Sequence, residues 1–416
     1  LGWGRKDGDQ AKERAALGED WNIYRPEVQA HIEKYFTPKV KATAPYGVSV
    51  WSLGDECGYD TGIGFGTNGA PYYAAFLKKR YGTVEKFNAV HGTTIKDFAE
   101  AEHKRCKQSV DERDWPSWFD QVQYAQQMYS DTYQFLSKVI KKYDPKGRVG
   151  AEGSSGGDLE LTVDKLEFWG PYRSLVSDEL LKNLGPQRVR GTWWGGYLRS
   201  SRNGFPVNQW EFVLTGTVNA DEWFAVSPGS TEGSHAGDLM PAPYVQKMMP
   251  HLQKLRRGQA QLLIRTPWRD DGFAFYFSHP SGSAASLDDR FTPQDASLGD
   301  LIRFCYRNGY NVKMITRKTM AKLKGQKVLF LAGANALSDE EAATFRDFVK
   351  QGGILVADQP PALLTEYLQI RKENPLKDLF GNVLLKDLGD AELRKVSSGK
   401  PQLVAYGKGG AVKLGY

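Results

Sequence analysis

The stretch Gly47–Glu56, with the sequence GVSVWSLGDE, decides the fold of the chain around it. Its middle is rich in β-branched and aromatic side chains, and the apolar run stops at Gly54, Asp55 and Glu56. This pattern predicts a buried strand that carries two carboxylates at its C-terminal tip. In a β/α protein, that tip is where catalytic groups lie. The alternative is that Glu56 caps the next segment or pairs with a nearby arginine.

Strands and helices alternate about five times in the first 265 residues. A helix is predicted before the opening stretch, at residues 26–44, and a long amphipathic helix after it, at 117–143, ending at Asp144-Pro145. Further strands are predicted at 148–153, 166–169, 189–197 and 220–226, with helices near 177–184, 206–217 and 243–263. This alternation predicts a parallel (β/α)8 TIM barrel whose first strands are absent from the chain.

The pattern changes near residue 266, where short buried strands alternate with amphipathic helices. Ser338 and Glu341 have the spacing of a capping box, and Gly352 ends the helix that they begin. The strands are predicted at 272–278, 311–316, 327–333 and 352–358, and the helices at 297–308 and 338–351. These features predict a flavodoxin-like α/β domain. No GxGxxG follows its first strand, so an assembly or packing role is favoured over cofactor binding.

Three domains follow from these patterns. The sequence predicts a partial TIM-barrel domain at 1–265, a flavodoxin-like domain at 266–385, and the start of a truncated C-terminal β domain at 386–416. The chain begins with Leu1 and shows no signal peptide, so we expect an N-terminal piece to be missing. The choice between a cytoplasmic and an exported protein stays open.

The composition is that of an ordinary globular protein with a high content of aromatic residues. Aromatic residues make up 12 % of the chain, and aromatic rings stack on the apolar faces of sugars, although large core residues explain many of them equally well. The net charge is only +6, and no dense block of Lys and Arg supports a nucleic-acid partner. An anionic polysaccharide remains a possible partner. No run approaches the ~18–20 apolar residues that span a bilayer, so no membrane partner is predicted.

The cysteines and histidines predict no metal site. Cys57, Cys106 and Cys305 are too few and too far apart for a disulfide framework or a zinc cluster. His91 and His235 have no partners at the spacing of metal ligands. We therefore predict neither a metal nor a cofactor.

Several segments resemble glycoside hydrolase family 42, the trimeric β-galactosidases. The resemblance extends from about Asp20 to Leu364. It is carried by PEVQAHIEKY (26–35), VWSLGDE (50–56), YYAAFLKKRYGTVEKFNAVHGT (72–93) and KVLFLAGANALSDEEAATFRDFVKQGGILVAD (327–358). It implies a retaining barrel followed by a flavodoxin-like trimerisation domain, and hence a homotrimer formed through residues 266–385. In that family the acid/base Glu follows an Asn at the tip of the fourth barrel strand, which by position is Glu56; the first three strands would then precede Leu1.

The sequence departs from that family at three places. Asp55 replaces the Asn, so a carboxylate stands where an amide would donate to the sugar 2-hydroxyl. The cysteine cluster that binds zinc in the family is reduced to Cys57, which agrees with the prediction of no metal. The nucleophilic Glu expected at the tip of the seventh strand has no counterpart in VRGTWWGGYLRSSR (189–202).

Glycoside hydrolysis ordinarily needs a second carboxylate, about 5 Å from the acid for retention or ~6.5–9.5 Å for inversion of configuration. The nearest candidate is Glu152, at the tip of the predicted adjacent strand. Asp221 and Glu222, on the predicted eighth strand, are the fallback. The alternative for Glu152 is a loop carboxylate that only accepts hydrogen bonds beside Gly153.

Aromatic and cationic residues at the predicted strand ends are candidates for substrate binding. Trp193 and Trp194 point to opposite faces if both lie in a strand, so at most one of them faces the pocket. Arg199 and Arg202 follow the seventh strand and would bind sulfate or carboxylate on a charged sugar, the alternative being ordinary exposed loop arginines. The candidate sugar-binding rings are Trp169, Tyr172, Trp193, Trp194, Tyr197 and Trp223.

The sequence thus predicts a glycoside hydrolase that cleaves a β-linked, galactose-containing glycan, with Glu56 as acid/base and Glu152 as second carboxylate. Asp55 is predicted to contact the substrate. Two alternatives stay open: a non-catalytic carbohydrate-binding protein on the same scaffold, and an enzyme for sulfated or uronate polysaccharides.

Overall fold

A computed structural model describes most of the chain. The described residues are 21–153, 157–171, 174–195, 209–210, 213–214, 216, 219–223, 238–241, 243–388 and 401–414. They form two compact units, of which the first contains 37–58 and 133–269 and the second contains 21–36, 59–132 and the chain from 270 onward. Each unit is considered by itself.

The first unit is built on a parallel sheet in which the strands follow the order of the chain. Val50 is in register with Arg148, Ala151 with Trp169, and Trp169 with Arg190, so all carboxyl ends lie at the same edge. The strands are β1 (Val50–Ser52), β2 (Arg148–Gly153), β3 (Phe168–Pro171), β4 (Val189–Gly195) and β5 (Asn219–Trp223), in the order β1-β2-β3-β4-β5. This is the strand arrangement of a β/α barrel, as the sequence predicts.

Helices connect these strands largely where the sequence predicts them. The predicted helices at 26–44 and 117–143 are found as Pro26–Thr43 and Trp115–Lys141. The α-helices of the whole chain are α1 (Pro26–Thr43), α2 (Ala70–Tyr81), α3 (Val84–His91), α4 (Cys106–Asp111), α5 (Trp115–Lys141), α6 (Leu159–Thr162), α7 (Leu175–Leu184), α8 (Pro243–Lys254), α9 (Ala260–Arg265), α10 (His279–Ala284), α11 (Gln294–Arg307), α12 (Asp339–Lys350) and α13 (Lys377–Phe380).

The prediction of a single helix at 243–263 is wrong in one respect. The chain leaves the α-helical path after α8 and resumes it at α9, through a π turn at Leu255–Gln259. Gly258 lies in that turn with φ 118, a conformation that L side chains rarely adopt. A glycine inside a helical pattern costs only about 1 kcal/mol, so the sequence pattern does not reveal the break.

The second unit contains a six-stranded sheet with flavodoxin-like strand order. Its strands are β6 (Phe273–Tyr276), β7 (Lys313–Ile315), β8 (Val328–Leu331), β9 (Ile354–Ala357), β10 (Gln402–Tyr406) and β11 (Gly409–Lys413). The strands β7-β6-β8-β9-β11 are neighbours in that order and are all parallel, which is the 2-1-3-4-5 order of flavodoxin-like folds. The predicted fold class is therefore confirmed.

The core of this unit lies between the sheet and α12. Tyr276, Leu329, Phe345 and Leu355 are each 0 % exposed within one apolar cluster. Ser338 caps α12 by accepting the Glu341 N–H at 3.1 Å, and Glu341 in turn accepts the Ser338 N–H at 2.6 Å. The predicted capping box is confirmed.

The end of the chain differs from the expectation of a separate β domain at 386–416. Strands β10 and β11 form an antiparallel hairpin, and β11 pairs with β9, so the hairpin extends the sheet of the second unit. Ala411 is 0 % exposed in the same apolar cluster as the sheet residues. The hairpin also covers the edge of β9, which would otherwise be unpaired. The other predicted domain boundary, at 265/266, lies close to the unit boundary at Arg269, but residues 59–132 belong to the second unit.

Candidate functional site

The tips of β1 and β2 are joined by backbone hydrogen bonds in the first unit. The Leu53 N–H donates to the Gly150 carbonyl at 2.7 Å, and the Glu152 N–H donates to the Gly54 carbonyl at 2.9 Å. The second of these bonds joins the two predicted catalytic segments. The sheet therefore delivers Asp55 and Glu56, and also Glu152, to the same carboxyl edge from neighbouring strands.

The turn that carries Asp55 and Glu56 is tightly folded. A Cβ on Gly54 would lie 2.2 Å from the Cys57 Sγ, so only glycine fits at the start of the turn. The Cys57 thiol donates to the Asp55 carbonyl at 3.7 Å. Glu56 itself has φ 52, in the left-handed region that non-glycine residues rarely occupy. Such backbone strain is concentrated at functional sites, which makes this turn the strongest candidate in the first unit.

The three carboxylates differ in their exposure. Asp55 and Glu56 are exposed, whereas Glu152 is half-buried. All three side chains take part in further interactions. Carboxylates presented from two adjacent strand tips are the groups needed for proton transfer to and from a bound substrate.

Cys57 lies in this turn, and burial raises the pKa of its thiol. No group of three or more His, Cys, Asp or Glu residues with metal-site geometry exists among the described residues.

Trp169 is the one predicted sugar-binding ring whose side chain is described. It is only 3 % exposed, an exposure typical of core packing, and its indole nitrogen has no hydrogen-bond partner within the described part of the chain. A sugar platform needs an open ring face, so Trp169 does not offer one in this structure.

For the other predicted sugar-binding rings and arginines, the structure describes either the backbone without the side chain or neither. Trp193 is in register with Asp221, Trp194 with Glu222, and Gly195 with Trp223, so β4 and β5 bring these positions together. Tyr172, Tyr197, Arg199, Arg202 and His235 lie outside the described residues.

Two further features were missed at the sequence level. In the first unit, the Trp51 indole donates to Asp144 Oδ2 at 2.7 Å and so ties β1 to the end of α5. In the second unit, the His103 ring is stacked between Phe65, at 4.0 Å, and Tyr73, at 3.7 Å between centroids.

The His103 stack involves Phe65 of the glycine-rich segment at 57–71. Burial lowers the pKa of His103 to about 4, so the ring is neutral at pH 7. The Gln121 amide accepts from this histidine and donates to the Thr61 carbonyl at 2.7 Å. These partners are far apart in the sequence. The only sequence signal for the stack would have been a histidine together with aromatic residues in other segments.

No described helix combines the length and apolar character needed to cross a lipid bilayer.

Comparison with protein-family models and with curated protein sequences finds no match for this chain. Solved structures do match. The β-galactosidase from Bacillus circulans sp. alkalophilus is similar with a TM-score of 0.68 at 13 % identity, over 94 % of this chain and 69 % of that one. The β-galactosidase from Rahnella sp. R3 gives a TM-score of 0.67 at 15 % identity, over 94 % and 69 %.

A third neighbour is named for a different substrate. The exo-carrageenase of glycoside hydrolase family 42 from Bacteroides ovatus gives a TM-score of 0.62 at 12 % identity, over 90 % of this chain and 59 % of that one. The chain spans between 59 % and 69 % of the length of these three proteins. At such low identity the likeness establishes the fold alone. The chain therefore has the fold of the family 42 β-galactosidases, as a divergent protein similar to them.

Proposed function

We propose that this chain acts as a glycoside hydrolase on a β-linked, galactose-containing glycan. Glu56 is the acid/base in this proposal, and Glu152 is the second carboxylate. The observation that carries it is the hydrogen bond between the Glu152 N–H and the Gly54 carbonyl, at 2.9 Å, which joins the two segments that bear these residues.

The proposed chemistry assigns a separate role to each carboxylate. Protonated Glu56 donates its proton to the glycosidic oxygen, so that the sugar leaves without an alkoxide charge. Glu152 acts on the anomeric carbon, either directly or through a water molecule. Asp55, between Gly54 and Glu56, accepts a hydrogen bond from a sugar hydroxyl.

The substrate class rests on the names of the structural neighbours. Two of the three described above are β-galactosidases, which supports a galactose-containing substrate. An anionic galactan is the second candidate, supported by the neighbour named exo-carrageenase and by Arg199 and Arg202 in the sequence. Trp193, Trp194, Trp223 and Tyr172 remain candidate sugar-binding residues.

The proposed assembly is a homotrimer through residues 266–385. Its support is the flavodoxin-like strand order of the second unit together with the resemblance of the sequence to a trimeric family. Light scattering on the purified full chain tests it. A mass of one or two chains would contradict the trimer.

The test of the proposed activity uses the wild-type chain, Glu56→Gln, and Glu85→Gln as a matched control. Glu85 is also an exposed glutamate, in the first turn of α3 in the second unit. Nitrophenyl β-galactoside and a panel of neutral and sulfated galactans are the substrates. The proposal expects activity in the wild type and in Glu85→Gln, and loss of about 10² or more in Glu56→Gln. Glycan binding without hydrolysis in any protein would favour the non-catalytic alternative.

A further inference from the structure

One segment of the first unit is both cationic and apolar. We call residues 254–269, KLRRGQAQLLIRTPWR, the cationic segment. The chain contains no Asp or Glu between Asp238 and Asp270, so the segment itself carries only positive charges, and Asp270 and Asp271 follow it directly. The segment begins at the end of α8, includes the break at Gly258 and α9, and ends beside Trp268.

The cationic segment is open to solvent over almost its whole length. None of the residues from 256 to 271, all of which are described, is buried. Leu262 is 68 % exposed, Ile264 38 % and Trp268 41 %. Exposed apolar side chains at this density are uncommon on soluble proteins and mark interaction sites.

Four cations of this segment form no ion pair with an acidic residue in the described part of the chain. Lys254, Arg256, Arg257 and Arg265 are exposed and take part in no ion pair there. By contrast, Lys182 of α7, which contacts Trp268, pairs with the buried Glu179 at 2.6 Å. Exposed arginine forks without carboxylate partners are available for bidentate binding of sulfate or carboxylate.

Trp268 is held in place at the edge of the segment. The Lys182 Nζ lies 4.4 Å from the centre of the indole ring, a distance typical of a cation–π contact. This contact fixes one side of the ring, while 41 % of the residue remains exposed. An exposed indole in the same segment as these arginines supplies a stacking surface for a sugar ring, and the arginines supply binding groups for charged substituents.

The geometry argues against a membrane as the occupant. Helix α9 has six residues, about 9 Å of helix. Leu262, Leu263 and Ile264 are consecutive, so they project in directions about 100° apart instead of forming one apolar face. A helix that lies in a membrane interface needs a continuous apolar face.

We propose that the cationic segment is a surface binding site for an anionic polysaccharide, separate from the carboxylates at the strand tips. Arg256, Arg257 and Arg265 bind its sulfate or carboxylate groups, and Trp268 stacks on a sugar ring. The choice of a polysaccharide among polyanions rests on the proposed function. The prediction that the segment binds a polyanion does not depend on the proposed function, because it rests on charge complementarity.

The test measures binding of polymers to full-length protein carrying Glu56→Gln, so that the polymer is not cleaved. The probes are dextran sulfate, polygalacturonate and neutral dextran, at 0.05 and 0.15 M NaCl. We expect dextran sulfate or polygalacturonate to bind with a clear salt dependence, and neutral dextran not to bind. The two anionic probes distinguish sulfate from carboxylate as the recognised group.

The decisive comparison is between two double charge reversals. Arg256→Glu with Arg257→Glu removes adjacent cations of the segment, whereas Lys78→Glu with Lys79→Glu makes the same change in net charge at an exposed pair in α2. We expect about tenfold or greater weakening in the first variant, because counterion release is lost there, and less than about threefold in the second. Trp268→Ala should weaken binding of the polymer and leave binding of inorganic sulfate unchanged.

Three results would overturn the inference. These are no binding of either anionic polymer, equal weakening by both double reversals, and binding of a DNA duplex as tight as that of the anionic polysaccharide. If the first double reversal unfolds the protein, Arg256→Gln with Arg257→Gln replaces it. Loss of hydrolytic activity is read separately, because a chain that binds at this segment but hydrolyses no glycan contradicts the proposed function only.

Discussion

The Trp51 indole N–H donates to Asp144 Oδ2 at 2.7 Å, across a sequence separation of 93 residues. Trp51 belongs to β1, and Asp144 follows the end of α5, shortly before β2. The bond therefore joins β1, which leads to Glu56, to the loop that leads into β2 and Glu152. The Gly147 N–H donates to the other oxygen of the same carboxylate at 2.9 Å.

This pair predicts an acid-sensitive contribution to stability. The hydrogen bond from Trp51 is the main cause that lowers the pKa of Asp144 below its usual 3.8. Since the folded-state pKa is the lower one, the contribution is fully present above pH 3.8 and is lost as the pH falls through the folded-state pKa.

The variant Trp51→Phe keeps a smaller aromatic ring and removes the donor. We expect its melting temperature to fall relative to wild type at pH 7, and the difference to shrink as the pH is lowered below 4. Thermal unfolding followed by circular dichroism between pH 3 and pH 7 measures this. A difference that does not change with pH would assign the effect of the substitution to packing alone.

A second prediction concerns Glu152. If it is the second carboxylate, Glu152→Gln lowers kcat/KM for nitrophenyl β-galactoside by about 10² or more. The measurement is steady-state kinetics beside the wild type, with Asp221→Asn and Glu222→Gln as parallel variants. Wild-type turnover by Glu152→Gln would remove this residue from the mechanism, and a selective loss in one of the other two would transfer the role to β5.

A third prediction concerns glycines in the second unit. Gly64 has φ 86, and a Cβ there would lie 2.9 Å from the Tyr124 ring, whereas Gly92 has φ 66 with nothing within 4 Å. Gly92→Ala should therefore lower the free energy of unfolding only by the strain of an alanine in the left-handed conformation, about 1 kcal/mol. Gly64→Ala adds a clash with packed rings and should cost at least about 1 kcal/mol more. Urea unfolding of the two variants tests this, and equal costs would contradict the packing of Gly64 against Tyr124.

A fourth prediction concerns the core beneath α12. Phe345 is 0 % exposed, and the structure packs Phe348 against the same cluster while leaving it partly buried. Phe345→Ala should destabilise the second unit by about 3–5 kcal/mol, and Phe348→Ala by clearly less. Similar unfolding free energies for both variants would contradict the described burial.

The elements with strong local signals could be predicted from the sequence. The helix begun by Ser338 and Glu341 was predicted because a capping box is a signal within four residues. The strand 148–153 was predicted from its composition, and its bounds agree with β2. Parallel strands joined by helices then restrict the possible topologies to a few, which is why the fold class followed.

Features that depend on distant contacts could not be predicted in this way. The stack of Phe65, His103 and Tyr73 joins residues from three segments, and no local pattern relates them. The pairing of β11 with β9 likewise depends on an open sheet edge elsewhere in the chain. For the candidate site, the tip of β1 and Glu152 are predicted from the sequence and stay predictions, whereas the strained backbone of Glu56 and the burial of Trp169 required coordinates.

The central claim is that Glu56 acts as acid/base, and hydrolysis by Glu56→Gln tests it most directly. Galactosides with good and poor leaving groups should be compared, because a dinitrophenolate leaves without protonation whereas a sugar alcohol does not. The account predicts a loss in kcat/KM that is much larger for the poor leaving group, with Glu85→Gln at the wild-type level for both. Equal activity of Glu56→Gln and wild type on both substrates would contradict it.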